Sequence, residues 1–210
     1  LQLPLQRIAL RARKGPEPNM IVATWNVNGV RARLEYILDW LGTRQPDLVA
    51  LQELKASEDS FPFDAFSDAG YGALIHGQKA WNGVAVLSRT PAELIQAGLP
   101  GREEDGARMI AVRAESLDFI SVYCPNGKST GHPDFPRKLE WFDTLAEYLS
   151  EAFHPIGRHQ LVITGDYNIC PSPLDTWDED LLRDTIFHTG AERDRIGRLA
   201  ALGLDDLFRS

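Results

Sequence analysis

Short apolar runs recur along this 210-residue chain, and a few stretches carry the wider spacing of helices. MIVATWN (20–26) and LVALQE (48–53) read as strands. Between them Leu34, Ile37, Leu38 and Leu41 fall at i, i+3, i+4 and i+7, one face of a helix, which Gly42 and Pro46 close. YGALIHG and GVAVLS are two further strands, joined by a segment that holds the hairpin pair Asn82-Gly83. GREEDG (101–106) reads as an exposed loop, and RMIAVRA and DFISVYC follow as another strand pair. From Asp134 to Ala152 the apolar positions Leu139, Phe142, Leu145 and Leu149 return to helical spacing. QLVITGD is the next strand, and 192–202 a further helix. Strands outnumber helices and several pair as hairpins, so the pattern predicts an α/β fold with mixed sheets rather than a purely alternating parallel one. There is no internal repeat and no low-complexity tract, and the length fits one domain.

Composition changes this picture little. The chain is 43% apolar and 25% charged, with no run long enough to cross a bilayer. Cys124 and Cys170 fit no metal-ligand spacing; they read as two thiols of a reducing compartment, with a single disulfide as the alternative. The first nineteen residues differ from the rest: Arg7, Arg11, Arg13 and Lys14 precede any acid. This leader lacks the apolar core of a secretory signal. It reads as a disordered basic tail ahead of a domain over 20–210, with Met20 as a native start; an organelle presequence is the alternative.

The net charge of −8 argues against an unassisted nucleic-acid binder. It is compatible with an enzyme that meets phosphate through a bound cation, because clustered carboxylates are what such a site needs. Candidates stand where apolar strands stop. The strand at 20–26 ends on Asn26, that at 48–53 on Glu53, that at 118–124 around Tyr123, and LVITG runs into Asp166 with Asn168 just beyond. Polar groups gather at strand ends because there they can converge without being buried unpaired. Each has a plainer role: Asn26 leading into a turn at Asn28-Gly29, Glu53 capping a loop, Tyr123 as a half-buried strand aromatic, Asp166 and Asn168 forming an Asx-turn. Together they offer two carboxylates, two amides and a phenol, a hard donor set that suits Mg²⁺ or Mn²⁺ rather than zinc.

TWNVNGVRAR, PDLVALQELK, GQKAWNGVAVLS, VYCPNG and ITGDYNICP stand in the order and spacing of the exonuclease III family of DNA-repair nucleases. From Met20 to about Ser210 the chain resembles this branch of the endonuclease/exonuclease/phosphatase superfamily. The resemblance implies a two-sheet β-sandwich flanked by helices with a metal site at its top edge. It implies Mg²⁺-dependent cleavage of DNA beside abasic sites and trimming from 3′ ends. On it, Glu53 is the metal-binding glutamate with Asn26 beside it, and Tyr123 contacts the phosphate. Asp166 activates water and Asn168 is its partner at the phosphate, both counted with the metal set. Arg31, Lys55 and Asn126 match positions near the DNA backbone.

Members of the family continue past GLDDLFRS into an aromatic DNA-engaging loop, a further aspartate and a closing Ser-Asp-His segment. None of the five histidines here follows a Ser-Asp pair, so the chain is expected to be a C-terminally incomplete member. The resemblance further implies double-stranded DNA with abasic sites or 3′ ends as partner; a monomer, no membrane and a bacterial-type cytoplasm are expected with it, organelle import by the basic leader being the alternative. The rival readings are a non-catalytic relative that binds DNA or a protein, and a phosphoesterase for another substrate class.

Overall fold

The computed structural model describes residues 8–12, 20–153 and 160–209. Ten strands and five α-helices follow one another along them: β1 Ile8–Ala12, β2 Val22–Asn26, α1 Leu34–Arg44, β3 Leu48–Gln52, α2 Phe63–Asp68, β4 Gly72–His76, β5 Val84–Ser88, β6 Ala92–Ala97, β7 Met109–Ala114, β8 Leu117–Tyr123, α3 Asp134–Ala152, β9 Gln160–Asp166, α4 Glu179–Leu182, α5 Gly190–Ala201 and β10 Leu204–Asp206. They build a six-stranded sheet in the order β10-β1-β9-β8-β7-β6 and a four-stranded sheet in the order β2-β3-β5-β4. Both are mixed: β2 and β3 run parallel, as do β8 and β9, and the other pairs are antiparallel. The expected α/β sandwich is the fold.

The alternation of side chains along each strand explains the four layers. In β3, Leu48 and Ala50 turn inward with Val84 and Val86 to meet Ile110, Val112, Phe119 and Val162 of the other sheet. Val49 and Leu51 turn outward with Ala85 and Leu87 onto Ile37 and Leu41 of α1 and Phe66 of α2. The far face of the six-stranded sheet packs Ala111, Ile120, Val122 and Ile163 against Trp141, Phe142, Leu145 and Leu149 of α3 and Leu199 of α5. Inner strands covered on both faces are apolar nearly throughout, which is why β3 and β5 are hydrophobic runs up to their last residues, Gln52 and Ser88.

Two expectations change, and a strand appears that the pattern did not predict. Gly42 does not end α1; the helix runs to Arg44 and closes on Gln45, whose N–H still makes the helical bond to the Leu41 carbonyl at 2.9 Å and whose left-handed φ of 45° turns the chain out of the helix before Pro46. β6, on the sheet's edge with half its residues exposed, carries no two-sided apolar signal. The leader, read as a disordered tail, contains β1, which lies between β9 and β10 and pairs antiparallel with both. The edge of β9 would otherwise present unpaired N–H and C=O groups, and backbone pairing can recruit an Arg-rich segment that no side-chain pattern advertises. Residues 1–7 and 13–19 lie outside the described residues. Both cysteines are free thiols, Cys124 in the core. No helix among the described residues is long and apolar enough to cross a membrane.

Candidate active site

The two parallel strand pairs deliver their carboxyl ends to one rim of the sandwich. Asn26 closes β2 opposite Gln52 of β3, and Tyr123 closes β8 opposite Asp166 of β9. Beneath the rim, buried Gln52 donates from Nε2 to the hydroxyls of Thr24 and Ser121, 3.1 Å each, tying the two sheets together. Nothing in the sequence pattern singled out this floor; an amide inside an otherwise apolar strand was its one signal.

Asn26 is the centre of the site. Its Nδ2 donates to Glu53 Oε1 and to Asp166 Oδ2, both at 2.9 Å, so one amide spends both hydrogens on two carboxylates from different sheets. Its Oδ1 accepts the Asn28 N–H at 3.0 Å, which fixes the amide's orientation. Asp166 uses Oδ1 in the same way, accepting the Asn168 N–H at 3.0 Å. The Asx-turns are therefore real, and in each case the turn leaves the other end of the side chain facing the site. Tyr123 donates its hydroxyl to Glu53 Oε1 at 3.0 Å, and Arg108 stacks on its ring at 4.9 Å.

The segment carrying Glu53 is held in an unusual backbone. Glu53 and Lys55 have φ of 54° and 51°, a region that non-glycine residues enter only when neighbours fix them. Those neighbours are the chain after β2 and the β4–β5 connection. Glu53 O accepts from Gly29 N, Leu54 O from Val30 N, and the N–H groups of Leu54 and Lys55 donate to Gly83 O and Asn82 O. The Lys55 ammonium then lies 3.1 Å from Glu53 Oε2 and also meets Asn28 Oδ1.

This environment separates the two carboxylates. Burial pushes the Glu53 carboxyl up, but hydrogen bonds from Asn26, Lys55 and Tyr123 outweigh it and leave the group below its ordinary range. Burial dominates at Asp166 and raises it, with the nearby Glu53 charge adding to the effect and the Asn26 and Asn168 donors opposing it. Burial and the Glu53 carboxylate push the Tyr123 phenol well up, so it keeps its proton.

The remaining candidates lie around this centre at different distances. Asn168, left-handed at φ 49°, donates from Nδ2 to the Cys124 carbonyl at 2.9 Å and has one amide hydrogen left. Asn126 is exposed on the loop after β8, and Arg31 is exposed at the start of a short 3₁₀ turn after β2. Neither touches the Glu53–Asp166 centre through a hydrogen bond. Lys138 of α3 was missed; its Nζ reaches the carbonyls of both Asn126 and Asn168.

The donor set suits a small hard cation: Glu53 and Asp166 share one amide, and Mg²⁺ is commonly held by one or two carboxylates with water. Among the described residues no group of three or more His, Cys, Asp or Glu could hold a metal ion, so the described site supplies a pair. Asn26 turns its nitrogen toward the carboxylates, which suits orienting them better than ligating a metal as the sequence reading expected.

A family model, the Endonuclease/Exonuclease/phosphatase family, matches residues 23–200. Exodeoxyribonuclease III of Haemophilus influenzae is 33% identical over 198 residues, covering 89% of this chain and 73% of that protein. DNA repair nuclease APEX1 of Danio rerio is 30% identical, and the chain spans 95% of itself but 65% of that relative's length. Among solved structures, the 3′ phosphatase NExo from Neisseria, in a variant form bound to product DNA hairpin, aligns with TM-score 0.84 at 35% identity, covering 89% of this chain and 72% of that one. An AP endonuclease from Archaeoglobus fulgidus aligns with TM-score 0.87 at 31% identity, over 91% and 74%. With the sandwich and its rim of strand-end carboxylates, these matches make the chain a member of the endonuclease/exonuclease/phosphatase superfamily and, within it, of the exonuclease III/AP endonuclease family.

Proposed function

We propose that this chain forms the hydrolytic face of a Mg²⁺-dependent DNA-repair nuclease that cuts phosphodiesters beside abasic sites and at 3′ ends. The observation that supports it most is the meeting of Glu53 and Asp166, from two different sheets, on the single amide of Asn26. Glu53 and Asp166 would hold Mg²⁺, or Mn²⁺, which when bound neutralises the anionic phosphodiester and the charge that develops on it.

The chain's own groups divide the remaining work. Asp166, its carboxyl raised by burial, takes the proton of the attacking water at Oδ2. Glu53, held low by its donors, remains a carboxylate. Tyr123 keeps its proton and supplies a donor at the rim, occupied by Glu53 in the free protein and available to a phosphate oxygen in the complex. The second amide hydrogen of Asn168 serves the same oxygens without adding charge. Arg31, Lys55 and Asn126 stand on the loops that a DNA backbone would cross, and the cation reconciles an acidic protein with a polyanion. The same reading makes this a cytoplasmic monomer acting on duplex DNA.

Removal of a 3′ phosphate is a second reading, favoured by the similarity to the Neisseria 3′ phosphatase. A panel separates the readings: duplexes with an abasic site, a recessed 3′ end or a 3′ phosphate, and an inositol phosphate, each with Mg²⁺, Mn²⁺ or chelator. Cation-dependent hydrolysis of the DNA substrates alone is expected. DNA binding without hydrolysis in either metal would favour the non-catalytic relative, and turnover of inositol phosphate would favour another substrate class.

A further inference from the structure

Lys138 sits in the apolar stripe of α3, one turn before Trp141 and Phe142, and is fully buried. An ammonium has three hydrogens and is tolerated in a core only when they are satisfied. Here the acceptors are the Asn126 carbonyl at 3.2 Å, the Asn168 carbonyl at 2.6 Å and Glu192 Oε1, with the Phe187 ring 4.8 Å from Nζ. Two of the three belong to the loops that leave β8 and β9 just beyond Tyr123 and Asp166.

The third acceptor is a rigid anchor. Glu192 is buried at the start of α5, where its Oε2 accepts from the Thr189 N–H and hydroxyl and its Oε1 also accepts from the Phe187 N–H. This capping box fixes Glu192, Glu192 fixes Lys138, and Lys138 fixes both loops to one point. The first loop is moulded to the lysine stem as well. Gly127 has φ 85°, and a Cβ there would lie 3.0 Å from Lys138 Cδ and 3.2 Å from Ile186 Cδ1.

We infer that Lys138 is a positioning residue of the hydrolytic site, drawing the Asn126 and Asn168 carbonyls inward so that Asn168 turns its N–H onto Asp166. This rests on the proposed phosphodiesterase reading for its kinetic consequence, though not for its geometry. An apolar side chain would satisfy the helix stripe equally well. What it cannot do is donate to the Asn126 and Asn168 carbonyls or balance the charge of the buried Glu192 carboxylate. With the anchor lost, the Asn168 N–H leaves Asp166 Oδ1 and the carboxylate is no longer oriented; misplacement on the ångström scale costs turnover about 10–100-fold.

The test compares Lys138→Met, which keeps the stem, with Lys138→Arg, which keeps a donor. Glu192→Gln, which removes the anchor's charge, is the third variant. Hydrogen exchange at the Asn168 amide is read against the core amides of β3 and β5, and kcat and KM are measured on an abasic-site duplex with Mg²⁺. For Lys138→Met, Asn168 exchange at least about tenfold faster with the β3 and β5 amides unchanged is expected. The kcat should fall about 10–100-fold with KM within a few-fold, and Lys138→Arg should recover part of both. Unchanged Asn168 exchange in Lys138→Met, or an Arg variant no better than Met, overturns the inference. If Lys138→Met does not fold, unchanged Asn168 exchange in Glu192→Gln overturns it as well. A parent protein without turnover sinks the hydrolase reading, while the exchange measurement still decides the role of Lys138.

Discussion

Gly165, the residue before Asp166, offers a severe test of how the site is built. It lies at φ 147° in β9, opposite Val122 of the parallel strand β8. A Cβ placed there would be 1.9 Å from the Val122 carbonyl oxygen and 2.8 and 2.9 Å from its carbon and nitrogen. All three atoms are backbone, so no side chain can rotate away. Restoring an ordinary contact, 3.4 Å or more from 1.9 Å, requires the atoms to part by about 1.5 Å or more, against an interstrand spacing of about 4.8 Å. The backbone conformation adds on the order of 1–3 kcal/mol for a residue with a Cβ, and overpacking about 1–3 kcal/mol. Ladder bonds such as Cys124 N–H to Asp166 O, 2.8 Å, are stretched at the same time. Gly165→Ala should therefore lose about 3–5 kcal/mol, and melt roughly 6–20 °C lower in a domain of this size. Thermal and urea unfolding measure both. A variant melting within about 2 °C of the parent would refute the close approach of β9 to β8.

Deleting residues 1–12 strips β1 from between β9 and β10 and should cost a few kcal/mol in urea unfolding, on the order of 1 kcal/mol per ladder bond; an unchanged midpoint would return the leader to a dispensable tail. At alkaline pH, burial raises Tyr148 to about 12 from an ordinary 10.0, and Tyr71 and Tyr123 are raised as well. The unfolded chain then loses protons that the native state keeps, so stability should fall as pH rises above 10. Tyr148→Phe should release about one proton fewer on unfolding between 10 and 12, and an unaltered pH slope would contradict this. Trp81 is 72% exposed beside Asn82, whose carbonyl holds the Lys55 N–H. Trp81→Ala should weaken binding to an abasic-site duplex about tenfold through lost stacking, without changing the salt slope; affinity within twofold of the parent would exclude that role.

The strand-end residues were legible because each ends an apolar run on a group that such a run does not need, and Asn26, Glu53, Tyr123, Asp166 and Asn168 do meet. Their division of labour was not legible. Asn26 reads as a ligand by donor type, but only the three-dimensional arrangement shows its nitrogen spent on two carboxylates. Lys138 stayed hidden because two of its three acceptors are main-chain carbonyls, which have no letter in a sequence, and because periodicity weighs apolar residues and passes over a lysine in the same stripe. The helix boundary near Gly42 misled for a related reason: glycine favours a helix end, but the fold placed the left-handed residue at Gln45. Strands β1 and β10 are specified by long-range pairing rather than by their own composition.

The most direct test of the central claim replaces Asp166 by Asn. Asparagine keeps an oxygen for the Asn168 N–H, so the turn that Asp166 now makes can persist, while the charge, the proton acceptor at Oδ2 and the acceptor for one Asn26 amide hydrogen are lost. Cleavage of an abasic-site duplex is followed at saturating Mg²⁺, with DNA affinity and melting temperature measured on the same proteins. The account predicts affinity within a few-fold of the parent, a melt lower by a few degrees as the Asn26 amide loses an acceptor, and a rate lower by about 10²–10⁴, the range for a lost general base. A variant that cuts within a few-fold of the parent would reduce Asp166 to a turn residue and contradict the mechanism at its centre.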